Sequence, residues 1–264
     1  MRRDDLDALL AEQIAYYRAR AGEYDRTSPL AYDADARGEL AAALEAFAPR
    51  GEVLELACGT GEWTVELARY ATRLTALDAS PEMLAVNRHR VGAANVRYLQ
   101  ADLFAWMPPA RYDVVFFSAW LTHVPPQRFD AFWALLAACL GDQGRVFVID
   151  ELPAVAAHER VIADAPAPSV ERELETGARY RTVKTFYAPA KLKARLAALG
   201  WTVEIRTVGW RYFYAVARRT STPTPPPEWN RGSGDQDAVR PGSTEPAPGS
   251  PLGWPLPQDE RKRP

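Results

Sequence analysis

The stretch VLELACGTGEWT, Val53 to Thr64, decides the fold. A short apolar run enters two glycines spaced one residue apart and then a segment that favours helix. In an open α/β sheet the turn after the first strand is where the backbone approaches a ligand, outside the carboxyl ends of the strands. A dinucleotide fingerprint places a third glycine or alanine three residues after Gly61, so that a helix N-terminus meets a pyrophosphate. Thr64 stands there instead, preceded by bulky Trp63. The turn therefore suits a ligand with no pyrophosphate to cradle.

Outward from this turn the chain alternates strand and helix periods. Apolar strands are predicted at 52–58, 73–78, 96–101, 112–118 and 144–150, with helices at 61–70, 81–90 and 127–140 between them. Ser80-Pro81 is a good cap and first-turn pair for the second of these helices. Continuous apolar strands alternating with helices imply a parallel sheet covered on both faces, the doubly wound, Rossmann-like α/β class. Upstream, Leu6, Leu10, Ile14 and Tyr17 share one helical face, and Leu40, Leu44 and Phe47 repeat the pattern before Pro49. Residues 1–50 read as cap helices and 51–219 as the core. Residues 153–185, with Pro166, Pro168 and many charges, read as an irregular insertion, followed by a helix at 189–199. Finally 201–209 and 211–219 lie too close for a crossover helix and must pair antiparallel.

Composition shifts near residue 220. From Thr220 to Pro264 the chain holds 11 of its 22 prolines and five glycines, a composition that reads as a disordered tail. Residues 1–219 carry 27 Lys+Arg against 28 Asp+Glu, so no broad field recruits nucleic acid or an anionic membrane. Cys58 and Cys139 sit in apolar runs, which gives no support to a disulfide framework or a metal site. No secretory or membrane-spanning run is present; the cytoplasm is the expected location, and oligomeric state is left open.

Asp78 ends the second strand 17 residues after Gly61, where a carboxylate accepts both hydroxyls of a ribose. Asp102-Leu103 ends the third, offering an acceptor for an exocyclic amine and an apolar face for a purine. Glycines, ribose acceptor and adenine acceptor on three successive strand ends describe a nucleoside site. In this order, ELACGTG, DASPEML, ADL and YDVVFFS, the motifs resemble those of class I S-adenosylmethionine-dependent methyltransferases over about residues 10–219. Glu55, Gly59 and Gly61 match that family's acidic-x-Gly-x-Gly-x-Gly motif, and Ala57 replaces its first glycine. The resemblance implies a seven-stranded sheet of order 3-2-1-4-5-7-6 with strand 7 antiparallel. It also implies S-adenosylmethionine as the methyl donor. Glu55 would belong to the cofactor-binding set as the motif's acidic residue; Gly59, Thr60 and Gly61 would line the methionine part, Asp78 the ribose, Ala79 and Met83 the adenine faces, Asp102 and Leu103 its amine edge, and Ser118 the methionine portion. Residues 16–25, YYRARAGEYD, resemble the lid helix of small-molecule members, with Tyr24 closing over the cofactor and Arg20 reaching its carboxylate.

A sulfonium is already a strong methyl donor, so the enzyme's main task is alignment. His123, in the loop after the fourth strand, is the candidate general base, since histidine titrates near neutral pH. Its other reading is a loop-fixing residue; Asp150-Glu151 is a second base candidate. Trp120 suits an apolar wall. Tyr16, with Tyr180 and Lys184 of the insertion, are substrate-binding candidates, beside the cations Arg172, Arg179 and Arg181 that would suit an anionic acceptor. A helix at 14–17 would make Tyr17 core and Tyr16 surface. No metal is expected.

Tyr180-x-x-x-Lys184 also matches the catalytic pair of short-chain dehydrogenases, which must share a helical face. Here ARYRTVKTFY reads as extended, and the match is chance. A nucleic-acid or protein substrate is the other alternative. Ser118-Ala-Trp-Leu lacks the Asn/Asp-Pro-Pro-aromatic motif of DNA amino-methylating enzymes, and neither cysteine follows a proline. A small organic acceptor is the expectation.

Overall fold

The computed structural model describes residues 3–220; the proline-rich stretch that follows, with Trp229 and Trp254, lies outside the described residues. Two helices, α1 (Arg3–Arg20) and the single turn α2 (Tyr24–Thr27), precede α3 (Ala34–Phe47). The alternating part then runs β1 (Glu52–Leu56), α4 (Thr64–Ala68), β2 (Arg73–Asp78), α5 (Pro81–Val91), β3 (Val96–Gln100), β4 (Tyr112–Ser118), α6 (Phe129–Cys139) and β5 (Leu140–Glu151). Three short strands follow, β6 (Val161–Ile162), β7 (Ser169–Glu173) and β8 (Arg179–Val183). The chain returns to the main sheet through α7 (Pro189–Ala198), β9 (Trp201–Val208) and β10 (Tyr212–Arg219).

The main sheet has seven strands in the order β3-β2-β1-β4-β5-β10-β9. β10 runs antiparallel to both β5 and β9, while β1 to β5 pair in parallel. Counted without the small sheet, this is the expected order 3-2-1-4-5-7-6. Both faces of the central strands are dry. Leu54, Leu56, Val115, Phe117 and Val146 pack in one cluster with α1, α6 and α7. Val53, Val114, Phe116 and Phe147 pack in another with Leu40, Leu44 and Phe47 of α3. Each such side chain contributes about 1.5–3 kcal/mol on burial, which is why these strands read as unbroken apolar runs.

Caps set the helix ends. The Ser80 hydroxyl accepts from Met83 N at 3.1 Å and Pro81 opens α5, which stops at Gly92 with φ +55°. α4 begins only at Thr64, three residues later than the sequence suggested, because Gly59 and Gly61 have φ of +52° and +91° and hold the turn open. β5 begins four residues earlier, at Leu140, with a register shift against β4 between Tyr112 and Val114. The segment expected to be irregular is an antiparallel sheet, β6-β7-β8. Its exposed edge is satisfied from α1: Arg181 N donates to Glu12 Oε1 at 2.6 Å and Val183 N to Gln13 Oε1 at 3.0 Å. Side chains of a helix thus finish a strand that would otherwise present open donors. No helix among the described residues is long and apolar enough to cross a membrane.

Candidate active site

Two cavities meet at the carboxyl ends of β1 and β4. The narrower, of about 740 Å³, is walled by Asp78, Ala79, Met83, Asp102, Leu103 and Trp120, with Leu10, Gln13 and Ile14 of α1 as its roof. The wider, of about 2100 Å³ including its open mouth, reaches from Thr60, Glu62 and Trp63 to Lys184, Arg172 and Arg211. Tyr17, Tyr24, Ala57, Gly59, Ser118, Ala119 and His123 border both.

The turn between β1 and α4 is fixed from below. Asn87 of α5, fully buried, donates to Gly59 O at 3.2 Å and to Thr64 Oγ1 at 2.8 Å, and Tyr98 OH donates to Asn87 Oδ1 at 3.0 Å. A Cβ on Gly61 would lie 2.7 Å from the Asn87 amide carbon, so glycine is required there by contact as well as by φ. Thr64 Oγ1 donates to Glu55 Oε2 at 2.7 Å. Burial, with Asp78 adding to it, pushes the Glu55 carboxyl up to about 8 against the Thr64 hydrogen bond, so it keeps its proton at neutral pH. Asp78 Oδ2 accepts from Gly59 N at 2.9 Å and Oδ1 from Ser80 N at 2.8 Å. Its carboxyl is raised by burial, partly offset by these backbone donors. Ser80 is the cap of α5, which leaves Asp78 on the cavity wall rather than as a helix cap.

α1 closes the roof. Thr60 Oγ1 donates to Asp25 Oδ1 at 2.6 Å, and Asp25 also pairs with Arg90. The Arg20 guanidinium lies over Tyr24 at 4.6 Å and over Tyr16 at 5.6 Å, donates to Thr27, and pairs with no carboxylate among the described residues. Tyr24 is pushed up to about 12, mainly by burial.

At the junction, His123 is 3% exposed. Its Nδ1 lies 2.7 Å from Val183 O and its Nε2 2.8 Å from Tyr17 OH. A carbonyl only accepts, so Nδ1 carries the proton and Nε2 accepts from the tyrosine. Burial first, then Lys184, Arg172 and Arg20, hold the imidazole well below its ordinary pKa. Behind it, Lys184 Nζ sits 2.6 Å from Glu151 Oε2, whose other oxygen takes Arg211 at 2.8 Å. Glu151 is lowered: burial raises its pKa, but Lys184 and Arg211 outweigh that. Asp150 accepts from Thr122 N at 3.2 Å and Glu151 N at 2.8 Å, and burial raises it.

A family model described as a methyltransferase domain matches residues 53–144. The trans-aconitate 2-methyltransferase of Rhizobium meliloti is 29% identical over 200 residues, 70% of this chain and 69% of that one. A ubiquinone biosynthesis O-methyltransferase of Xylella fastidiosa is 33% identical over 180 residues, 64% and 69% of the two chains. The solved structure of a DhpI-SAH complex is 42% identical with a TM-score of 0.71, covering 80% of this chain and 97% of its own; a DhpI-SAM-HEP complex matches equally. The chain belongs to the class I S-adenosylmethionine-dependent methyltransferases.

The methyltransferase brings most residues singled out in its sequence to the two cavities. Asp78, Ala79, Met83, Asp102 and Leu103 share the narrower one with Trp120; Glu55, Thr60 and Tyr16 line the wider; Tyr24, Gly59 and Ser118 border both. Gly61 lies beneath the turn against Asn87. Four expectations change. Tyr180, on β8, borders neither cavity; its ring packs 5.8 Å from that of Tyr16 and braces α1. The surface reading of Tyr16 is overturned, since it is 3% exposed; Tyr17 is half-buried and reaches the junction. His123 has no free nitrogen to serve as a base, both being held by Tyr17 and Val183. Arg179 and Arg181 line neither cavity; Arg179 pairs with Glu171 and Glu173 at the edge of the wider one, and Arg181 with Glu12. Tyr180-x-x-x-Lys184 starts on a strand, not a helix. Asp150-Glu151, the second base candidate, is engaged in fixing a loop and two cations. Cys58 is buried and its thiol raised well above its ordinary pKa, chiefly by burial, which makes it inert. Asn87, Gln13 and Arg211 carried no motif signal; a buried polar residue in the middle of the helix after the glycine turn is the one cue that pointed to Asn87.

Proposed function

We propose that this methyltransferase moves the donor methyl onto an oxygen of a small anionic acceptor, a carboxylate or similar oxyanion, held in the wider cavity. The observation that carries this reading is Arg20: it lies on the wall of the wider cavity, against Tyr24 and Tyr16, and pairs with no carboxylate among the described residues, whereas Lys184 and Arg172 are taken by Glu151 and Glu159. Arg20, its guanidinium carbon 4.6 Å from the Tyr24 ring centre and 5.6 Å from that of Tyr16, presents a planar cation of the kind that suits oxyanions. Relatives named as acting on trans-aconitate and as an O-methyltransferase agree with this class.

The donor fits the residues present: two glycines open the turn, Asp78 stands at the second strand end, and Leu103 with Met83 gives an apolar slot. Asp78, Ala79, Met83, Asp102 and Leu103 would hold its nucleoside; Gly59, Thr60 and Tyr24 would hold its amino-acid part. When bound, the sulfonium supplies an electrophilic methyl. An oxyanion is already deprotonated at neutral pH, so no general base is needed, in keeping with a His123 that is neutral and fully bonded. His123 instead fixes the Tyr17 hydroxyl where the cavities join. What remains is alignment by rigid walls, an effect on the order of 7–11 kcal/mol, and exclusion of water by the α1 roof. The test is transfer from methyl-labelled S-adenosylmethionine to a panel of di- and tricarboxylates, phosphate-like acids, phenols and primary amines. Label recovered as esters of the acids is expected; label confined to amines or phenols would overturn the reading.

A further inference from the structure

The wider cavity has more room than an oxyanion uses, and its mouth is unlike its depth. Deep in the wall, Lys184 is 4% exposed in its side chain. Next to two residues of its rim, Trp210 is 54% exposed. Trp210 stands at the tip of the β9–β10 hairpin, where Gly209, with φ +54°, turns the chain. β10 starts opposite Glu151, so this tip lies beside the carboxyl end of β5, on the side of the sheet where the cavities open. The exposed indole is held in place: His158 meets it edge to face at 5.4 Å, and the Arg211 guanidinium lies 5.1 Å from its centre. Both of those partners line the wider cavity. Arg211 then contacts Glu151, and Glu151 contacts Lys184, so a continuous chain of side chains runs from the rim to the buried cation.

A large apolar ring left half in water, yet fixed by two neighbours, is a preorganised contact surface: its partner gains burial and loses little in ordering the site. Resting on the anionic-acceptor reading above, we propose that Trp210, braced by His158 and Arg211, forms a subsite for a flat, apolar extension of the acceptor. The acceptor is then an amphipathic acid whose oxyanion enters toward the junction while an aryl or similar group lies on the indole at the rim.

The experiment compares butyrate with 4-phenylbutyrate as acceptors for the full chain, for Trp210→Ala and for Trp210→Phe, following release of S-adenosylhomocysteine. In the parent protein kcat/KM is expected to favour the phenyl-bearing acid by about tenfold or more. In Trp210→Ala the ratio falls to near one; Trp210→Phe retains most of it. Equal kcat/KM for the two acids in the parent, or an unchanged ratio in Trp210→Ala, overturns the subsite. A second readout is independent of turnover: protein labelled with 5-fluorotryptophan, with the Trp210 resonance assigned by its loss in Trp210→Ala. A shift on adding 4-phenylbutyrate but not butyrate supports the subsite even where neither acid is methylated, so its outcome is separate from that of the anionic-acceptor reading, which the acceptor panel decides. A resonance that stays fixed overturns the subsite.

Discussion

Replacing Lys184 by methionine keeps the length of the stem and deletes the charge that holds Glu151 in the wall of the wider cavity. The ammonium is 2.6 Å from Glu151 Oε2 and 3.2 Å from Thr122 Oγ1. The two side chains are 4% and 11% exposed, so solvent does little to screen the pair. Removing one partner of a buried ion pair costs about 3–5 kcal/mol, because the other charge is stranded. Arg211, 2.8 Å from Glu151 Oε1, still neutralises the carboxylate. The expected loss is therefore about 2–3 kcal/mol at pH 7.5, a sizeable part of the ~5–15 kcal/mol of a typical domain. pH gives the sharper test. In the parent the Glu151 carboxyl lies below its ordinary value, so its contribution is present above the unfolded carboxylate pKa and lost as pH falls through the lower folded one. Without Lys184, burial is less opposed and the folded pKa rises, so acid relieves the variant before it harms the parent. Urea melts should show the gap between them narrowing as pH is lowered from 7.5 to 5. Glu151→Gln in the Lys184→Met background should recover part of the loss, the interaction being read from the double-mutant cycle. A gap under about 1 kcal/mol, or one constant with pH, would refute a buried, strongly coupled pair.

Asn87→Ala removes the bonds to Gly59 O and Thr64 Oγ1 that shape the donor turn. At about 0.5–1.5 kcal/mol for each hydrogen bond, affinity for S-adenosylhomocysteine should fall about tenfold or more by calorimetry; unchanged affinity in a folded variant means the turn is shaped without it. His123→Gln addresses acid sensitivity. The folded imidazole is held well below its ordinary value by burial and by three cations, so its contribution is complete above about pH 6.5 and is lost as pH falls toward the folded pKa. Stability from urea melts should drop with pH below 6.5 in the parent and drop less steeply in His123→Gln. Parallel profiles would mean that the ring is protonated as easily in the folded as in the unfolded chain.

The sheet was legible because its signals are local. Unbroken apolar runs such as Val114 to Phe117 report strands buried on both faces, and the short link before β10 forces an antiparallel pairing. Gly59, Asp78 and Asp102 were legible for the same reason, each lying at the end of a strand already identified. The small sheet was not, because its pairs link residues whose charges cancel only in space, as Arg172 with Glu159, and because its edge is completed by Glu12 and Gln13 from far earlier in the chain. Helical period likewise misassigned Tyr16. α1 is covered on two sides, by the main core at Leu6, Leu9 and Leu10 and by β8 near Tyr16, so one apolar stripe does not describe it. His123 could be placed at the site from its loop, but its hydrogen-bond partners, Tyr17 and Val183, come from distant parts of the chain.

Two alanines mark where the cavities join. Ala57 follows β1 with φ +51° and Ala119 follows β4 with φ +50°, and these two strands are neighbours in the sheet. Both residues border both cavities. A left-handed alanine costs about 1–2 kcal/mol relative to its relaxed conformation, and glycine would remove most of that strain. Glycine would also give each turn more conformations to lose. A methyl group at each position instead narrows the passage and limits the backbone on either side of it. For a reaction that depends on holding two partners in line, a stiff junction acts directly on the barrier, whereas the strain is carried by a sheet whose central strands are dry on both faces. On the proposed reaction, alanine at the first position of the glycine motif would stiffen the junction while Gly59 and Gly61 keep the turn open.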